Sequence, residues 1–187
     1  MRIVGGTLRG RPIAGPQHDG LCPTADRVRE SLFNILAHGV DDFSLAGARV
    51  IDLFAGTGAL GLEAISRGAA FCLFVDSEPD ARALVRANIE AFGLTGVTRI
   101  FRRDAADLGP AGTVAPFHLA FLDPPYDQGL GERALAALAA GNWLAPGAIV
   151  VVEERASAEI ELPPAFAELD RRTYGDTQIL IARYGSA

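Results

Sequence analysis

The sequence predicts an α/β fold built on a mostly parallel sheet, and three observations lead there. Five short apolar runs, rich in β-branched and aromatic residues, recur after residue 47. Turns containing glycine and stretches of helical periodicity separate them, which is the alternation that βαβ units produce. The chain then closes on two strands joined by a turn too short for a crossover, so that pair must run antiparallel.

ARVIDLF (48–54) reads as a buried strand, and GALGLEAISRG (58–68) as the helix after it, ending on Gly68. AFCLFVD (70–76) is the second strand. In SEPDARALVRANIEAFG (77–93), residues Ala81, Leu84, Val85, Asn88, Ile89 and Phe92 share one face of a 3.6-residue period, and Gly93 suits the C-cap. VTRIFR (97–102) and FHLAFLD (117–123) follow as strands, the latter stopped by Pro124-Pro125. AIVVVEE (148–154) is the fifth. The tail, 166–184, holds a strand, the turn chemistry of RRTYGD and the strand TQILIARY.

Residues 1–22 differ from the rest. They are rich in Gly and Arg, with only short apolar pairs such as Ile3-Val4 and Pro12-Ile13. An arm or small hairpin is expected there, with 23–187 as the main domain. After Pro23, Thr24 can cap a helix that continues to Gly39, with Val28, Leu32, Ile35 and Leu36 as its buried stripe.

A chain of 187 residues buries roughly 70% of its unfolded surface, so one core suffices without disulfides or a structural metal. Cys22 and Cys72 have neither disulfide-framework nor zinc-ligand spacing, and His18, His38 and His118 show no metal spacing. No metal is expected. The N-terminus lacks the apolar core of a signal peptide. The uncharged run 134–152 is interrupted by Gly141-Asn142 and Pro146-Gly147, so a short helix, a turn and a buried strand explain it better than a membrane span. The expectation is a cytoplasmic monomer with no membrane contact.

Acidic residues outnumber basic ones 23 to 17, a net charge of −6, and every basic residue is Arg. A broadly basic nucleic-acid footprint is missing. Local excesses remain at both ends. Residues 1–30 hold five Arg against three acids, and Arg2, Arg9 and Arg11 of the arm are candidates for phosphate contact.

The chemistry concentrates in two motifs. The first is Asp52-Leu-Phe-Ala-Gly56-Thr-Gly58-Ala-Leu-Gly61, between a strand and a helix. Gly56 and Gly58 leave no Cβ in the turn, so its backbone can approach a ligand. Asp76 follows Gly56 by 20 residues, where a dinucleotide fingerprint wants a ribose-binding acid. A nicotinamide cofactor is therefore one reading. Asp52 favours another, because its charge suits a cation such as the ammonium of a bound amino acid. S-adenosylmethionine carries one, its ribose diol would use Asp76 in the same way, and Asp104 could accept from its adenine amine.

The second motif is Asp123-Pro124-Pro125-Tyr126, at the end of the fourth strand. The prolines remove two donors and fix the backbone, leaving a carboxylate and carbonyls at the sheet's ligand-binding crevice. Asp123 and the Pro124 carbonyl are two acceptors for the two hydrogens of a planar exocyclic amine. Holding both directs the nitrogen lone pair at a methyl donor. Tyr126 offers a ring on which an extruded base can stack.

This pairing resembles the amino-methyltransferases that modify exocyclic nitrogens of bases. The N-terminus narrows the likeness. Met1-Arg-Ile-Val-Gly-Gly, Arg9-Gly-Arg, and Gly20-Leu-Cys-Pro-Thr-Ala-Asp-Arg-Val-Arg-Glu-Ser-Leu-Phe33 resemble the RsmD-type enzymes, as does the turn Tyr174-Gly-Asp-Thr177. That resemblance covers the chain end to end. It implies a Rossmann-like methyltransferase fold with a seven-stranded sheet, S-adenosylmethionine as cofactor, and a guanine N2 of 16S rRNA as acceptor. It also implies position 966 and a partly assembled small ribosomal subunit as substrate. The 23–30 segment would lie beside the methionine end of the cofactor, with Thr24 and Arg27 as candidates for its carboxylate. One departure is Cys22-Pro23-Thr24, where the family usually has Arg-Pro-Thr. Other readings stay open: an amino-methyltransferase for another RNA or DNA base, an NAD-dependent oxidoreductase, and an RNA-binding assembly factor with a vestigial site.

Overall fold

A computed structural model describes residues 1–16 and 23–185, apart from the side chains of residues 23 and 24. The strands are β1 (Arg49–Leu53), β2 (Phe71–Val75), β3 (Thr98–Phe101), β4 (Phe117–Leu122), β5 (Leu144–Arg155), β6 (Phe166–Tyr174) and β7 (Thr177–Tyr184). The α-helices are α1 (Pro23–His38), α2 (Ala59–Ser66), α3 (Pro79–Phe92) and α4 (Leu130–Ala140). One seven-stranded sheet runs in the order β3-β2-β1-β4-β5-β7-β6. The first five strands are parallel, and β7 is antiparallel to both β5 and β6. This is the Rossmann-like α/β fold with a C-terminal hairpin that the sequence predicts.

Burial on both faces explains the continuous apolar strands. Ile51, Leu53, Leu122, Val150 and Val152 pack on one face with Leu135, Leu138 and Trp143. On the other, Val50, Phe74, Phe121 and Val151 meet Leu32, Phe33 and Leu36 of α1, Leu62 of α2, and Val85 and Ile89 of α3. Gly93 closes α3 with φ 69°, as its position suggested.

Two boundaries depart from expectation. β5 starts at Leu144, four residues early, because Pro146 and Gly147 are absorbed as an irregular stretch. Gly147 takes φ 78°, and the pairing with β4 slips between Phe117 and Leu119. α1 begins at Pro23, a favoured first helical residue. The Thr24 side chain, and with it the expected cap, lies outside the described residues, as do His18 and Cys22.

Residues 1–13 form a hairpin, bridged between Arg2 and Pro12, that is fastened to the domain. The amides of Val4 and Gly5 donate to the buried Glu63 carboxylate at 2.9 and 2.8 Å. Leu8 donates to Ser66 Oγ, and Ala14 exchanges two hydrogen bonds with Asn88. Ile3 and Ile13 are buried.

The order also places a switch point between β1 and β4. The chain leaves β1 toward β2 and β3, and leaves β4 toward β5. A crevice opens where such connections diverge, at the carboxyl ends of the strands.

Candidate active site

The glycine loop starts at the end of β1. Phe54 adopts φ 59°, a left-handed backbone that a bulky residue holds only under constraint. Gly58 follows at φ 80° and caps α2. At Gly61 a Cβ would stand 2.4 Å from Phe74 Cε1 and 2.6 Å from Cys72 Sγ, so glycine lets α2 press directly on the sheet. The Gly61 amide then donates to Asp52 Oδ2 at 2.9 Å. Asp52 is 2% exposed. Burial, helped by the charge of Asp76, pushes its carboxyl up to about 8 despite the Gly61 bond.

Asp76 stands just past β2 and braces the loop from the neighbouring strand. Its Oδ2 accepts the Gly56 amide at 3.0 Å and its Oδ1 the Glu78 amide at 2.9 Å. Asp104, exposed after β3, accepts the Ala106 amide at 2.8 Å.

Asp123 follows the last residue of β4. Its carboxylate stays open to solvent within a concavity, yet protein crowds it closely. That crowding, then the charge of Glu153, holds its carboxyl well above the usual carboxylate range. Pro124 is buried. The Tyr126 hydroxyl donates to Glu153 Oε1 at 3.0 Å and lies 3.1 Å from Thr177 Oγ1. Partial burial pushes that phenol up to about 12. The Arg155 guanidinium lies over the Tyr126 ring, 5.6 Å from its centroid, and is held by Asp127 at 2.7 Å.

A cavity of about 460 Å³ joins these parts. Asp52, Gly56 and Asp123 line it, together with Phe54, Thr57, Glu153, Tyr174 and Thr177, while Arg29 and Leu32 of α1 form the opposite wall. Strand register explains the assembly. Asp52 pairs with Phe121, and Leu122 with Val152, so Asp52, Asp123 and Glu153 all project from the face that α1 covers. Gly58, Asp76, Asp104, Pro124 and Tyr126 are not among its lining residues; Asp76 reaches it through Gly56, and Tyr126 through Glu153 and Thr177.

Arg27 lies elsewhere. It lines a separate cleft of about 430 Å³ with Arg2, Arg9, Asp26 and Glu30. Two positions along α1, about 200° round the helix, Arg29 faces the cavity instead. Arg29 is already committed, to Asp26 at 2.9 Å, to Glu63 at 3.3 Å and to the Arg2 carbonyl. Among the described lining residues the cavity therefore carries three carboxylates against one paired arginine. Glu153 lines the cavity without having been singled out in the sequence, and Tyr174 and Thr177, noted there only as part of a family-like turn, line it as well. The acid at the end of the strand next to Asp123 was the available signal for Glu153. Among the described residues no cluster of His, Cys, Asp and Glu could hold a metal, and no helix is long and apolar enough to cross a membrane.

Comparison with known proteins identifies the family. The chain is 38% identical to ribosomal RNA small subunit methyltransferase D of Escherichia coli K12 over 172 residues, covering 91% of this chain and 83% of that protein. Against the protein of the same name from Haemophilus influenzae it is 31% identical over 177 residues, covering 94% and 89%. The solved structure of yhhF from Escherichia coli superposes with a TM-score of 0.83 at 32% identity, covering 100% of this chain and 99% of that one. The family model described as "Conserved hypothetical protein 95" matches residues 1–183. The chain belongs to that family, the one that includes the small-subunit rRNA methyltransferases D.

Proposed function

We propose that this protein transfers a methyl group from S-adenosylmethionine to the exocyclic N2 of a guanine in small-subunit 16S rRNA, at position 966 by family resemblance. The observation that carries the reading is the row of three carboxylates, Asp52, Asp123 and Glu153, on one cavity wall beside the glycine loop. A pyrophosphate set against that wall would drive the Asp52 and Asp123 carboxyls still higher, which disfavours a nicotinamide dinucleotide. A sulfonium and an ammonium would draw the same carboxyls into their ionised form and meet opposite charge.

Each of these residues has a group to offer the cofactor. Asp52 keeps one oxygen on Gly61 and has the other for the ammonium. The Gly56-Thr57-Gly58 turn presents backbone with no side chain at either glycine. Asp76 retains lone pairs for the ribose diol beyond those given to Gly56 and Glu78, and Asp104 suits the adenine amine. Arg27 faces the other cleft, and we leave it out of this set.

When bound, S-adenosylmethionine supplies an electrophilic methyl whose bond to sulfur breaks as the bond to nitrogen forms. The protein's task is to position the nucleophile. Asp123 and the Pro124 carbonyl accept the two N2 hydrogens, so the lone pair points away from them along the line of attack. After transfer the nitrogen carries an excess proton, which passes to Asp123. Tyr126, fixed by Glu153 and Thr177, gives a flipped base one ring face while Arg155 lies over the other. Arg2, Arg9 and Arg27 share the hairpin cleft and would be the groups to meet phosphate. The acidic total charge fits a substrate in which ribosomal proteins share the docking surface, that is, a partly assembled subunit approached by a monomer.

The test is direct. Small-subunit particles from cells lacking this gene, incubated with the protein and labelled S-adenosylmethionine, should gain one N2-methylguanine. Calorimetry should show binding of S-adenosylhomocysteine and none of NAD. Absence of the methylguanine would overturn the reading.

A further inference from the structure

We propose that Glu153 is the residue that selects guanine, by accepting the ring N1 hydrogen beside the amine that Asp123 holds. This rests on the reading of guanine N2 as acceptor and adds the part of the site that recognises the ring.

The two acids are set side by side by the sheet. Leu122 of β4 pairs with Val152 of β5 in parallel register, so the next residues, Asp123 and Glu153, emerge at the same level on the same face. Both line the cavity. Glu153 spends one oxygen, Oε1, on the Tyr126 hydroxyl at 3.0 Å, which fixes the side chain and leaves Oε2 unassigned. Asp123 and Glu153 thus form two neighbouring acceptors within reach of one planar ligand.

Two adjacent acceptors demand two adjacent donors. Guanine offers them, an exocyclic N2 amine next to a ring N1–H. Adenine and cytosine place a ring nitrogen lone pair beside their amine. Against Glu153 that lone pair would face a carboxylate, leaving two acceptors opposed with no hydrogen between them. A site built to hydrogen-bond a donor rejects the analogue that lacks it far more strongly than a merely shaped pocket does. Tyr126 and the Pro124 carbonyl cannot make this distinction, since every base has a ring face and all three amines have two hydrogens.

The discriminating substrate is 2-aminopurine, which keeps the amine at C2 but has a lone pair at N1. Small-subunit particles reconstituted with guanine or 2-aminopurine at the modified position would be assayed in single turnover with labelled S-adenosylmethionine. The wild-type protein should prefer guanine by at least about 100-fold. Glu153→Gln can donate an amide hydrogen to the N1 lone pair, so it should slow transfer to guanine, speed transfer to 2-aminopurine and collapse the ratio at least tenfold. Tyr126→Phe removes the hydroxyl that steadies Glu153 but keeps the carboxylate, so its ratio should stay on the guanine side. Binding of S-adenosylhomocysteine to each variant reports whether it is folded. A wild-type protein that methylates both bases equally, or a Glu153→Gln variant that slows both by the same factor, would overturn the role of Glu153 while leaving guanine methylation intact. No transfer to guanine by the wild-type protein would overturn the underlying reading as well.

Discussion

The Asp52 carboxylate accepts the Gly61 amide at 2.9 Å, across the turn that joins β1 to α2. One hydrogen bond leaves a buried acid undersatisfied, and its carboxyl is accordingly pushed up to about 8. In the unfolded chain the same group ionises near its ordinary value of 3.8. Between those two values the unfolded state has lost the proton and the folded state has kept it. Stability should therefore fall as pH rises from about 4 to about 8, and level off above.

Asp52→Asn separates the structural cost from the functional gain. The amide oxygen can still accept from Gly61, and no charge is buried. The variant should melt at a higher temperature than the wild-type protein at pH 8, with the difference shrinking toward pH 4. Loss of a charge-assisted contact worth roughly 1.5–3 kcal/mol should weaken S-adenosylhomocysteine binding about 10- to 150-fold. Wild-type affinity should climb between pH 6 and 8 as the carboxylate forms, and that slope should vanish in Asp52→Asn. Calorimetry across pH measures both. An unchanged affinity would remove Asp52 from the cofactor site.

Gly61→Ala tests the contact that brings α2 onto the sheet. The added methyl would meet Phe74 and Cys72 inside 3 Å, and neither can withdraw without shifting β2. Overpacking of this kind typically costs about 1–3 kcal/mol. Thermal unfolding should show that loss, and the Asp52 bond should loosen with it. A variant as stable as the wild-type protein would mean that the helix slides freely.

How much of this was legible follows from which interactions are local. The strands and helices could be read because burial on both faces of the sheet writes continuous apolar runs, and α3 writes its single face at every third or fourth residue. The two motifs could be read because Gly56, Gly58, Asp123 and Pro124 constrain their own backbone. Arg29 could not be told from Arg27, since only docking of the hairpin and α1 decides which of two nearby arginines turns inward. Glu153, Tyr174 and Thr177 reach the cavity through pairing between β4, β5 and β7, a register that no stretch of sequence records by itself. The hairpin, too, looks in sequence like a loose basic arm. Its attachment depends on Glu63, a buried acid in the middle of α2 whose partners come from residues 4, 5, 29 and 67.

That attachment changes how RNA docking should be tested. Deleting residues 1–11 would strip Glu63 of two amide donors and expose the packing around Ile3, so it would confound folding with binding. Point substitutions avoid this. Arg9 is exposed and Arg27 lines the same cleft from α1. Arg9→Ala with Arg27→Ala should leave S-adenosylhomocysteine affinity unchanged and weaken binding to small-subunit particles. If each arginine meets one phosphate, the double substitution should flatten the salt dependence of log affinity by about two. A parallel slope in wild-type and variant would assign the cleft a purely structural role.

The chemistry itself turns on Asp123. The guanine amine is a weak nucleophile because its lone pair is delocalised into the ring, so its hydrogens must be held if the nitrogen is to face the methyl. Crowding and the charge of Glu153 keep the Asp123 carboxyl well above the ordinary range, and only its ionised form is a full acceptor. The acid limb of the pH–rate profile should accordingly lie well above the usual carboxylate range, with the rate rising as pH increases through it. Asp123→Ala should slow single-turnover transfer by about 100- to 1,000-fold, the scale on which a single well-placed polar group acts, while S-adenosylhomocysteine still binds. Asp123→Asn keeps one acceptor oxygen but neither the charge nor the capacity to take the proton. It should retain more activity than Asp123→Ala, and Asp123's part of the acid limb should disappear. An Asn variant as slow as the Ala variant would assign the effect to charge and proton acceptance rather than orientation. Undiminished transfer in Asp123→Ala would refute the arrangement of amine, carboxylate and carbonyl on which the methyl-transfer mechanism rests.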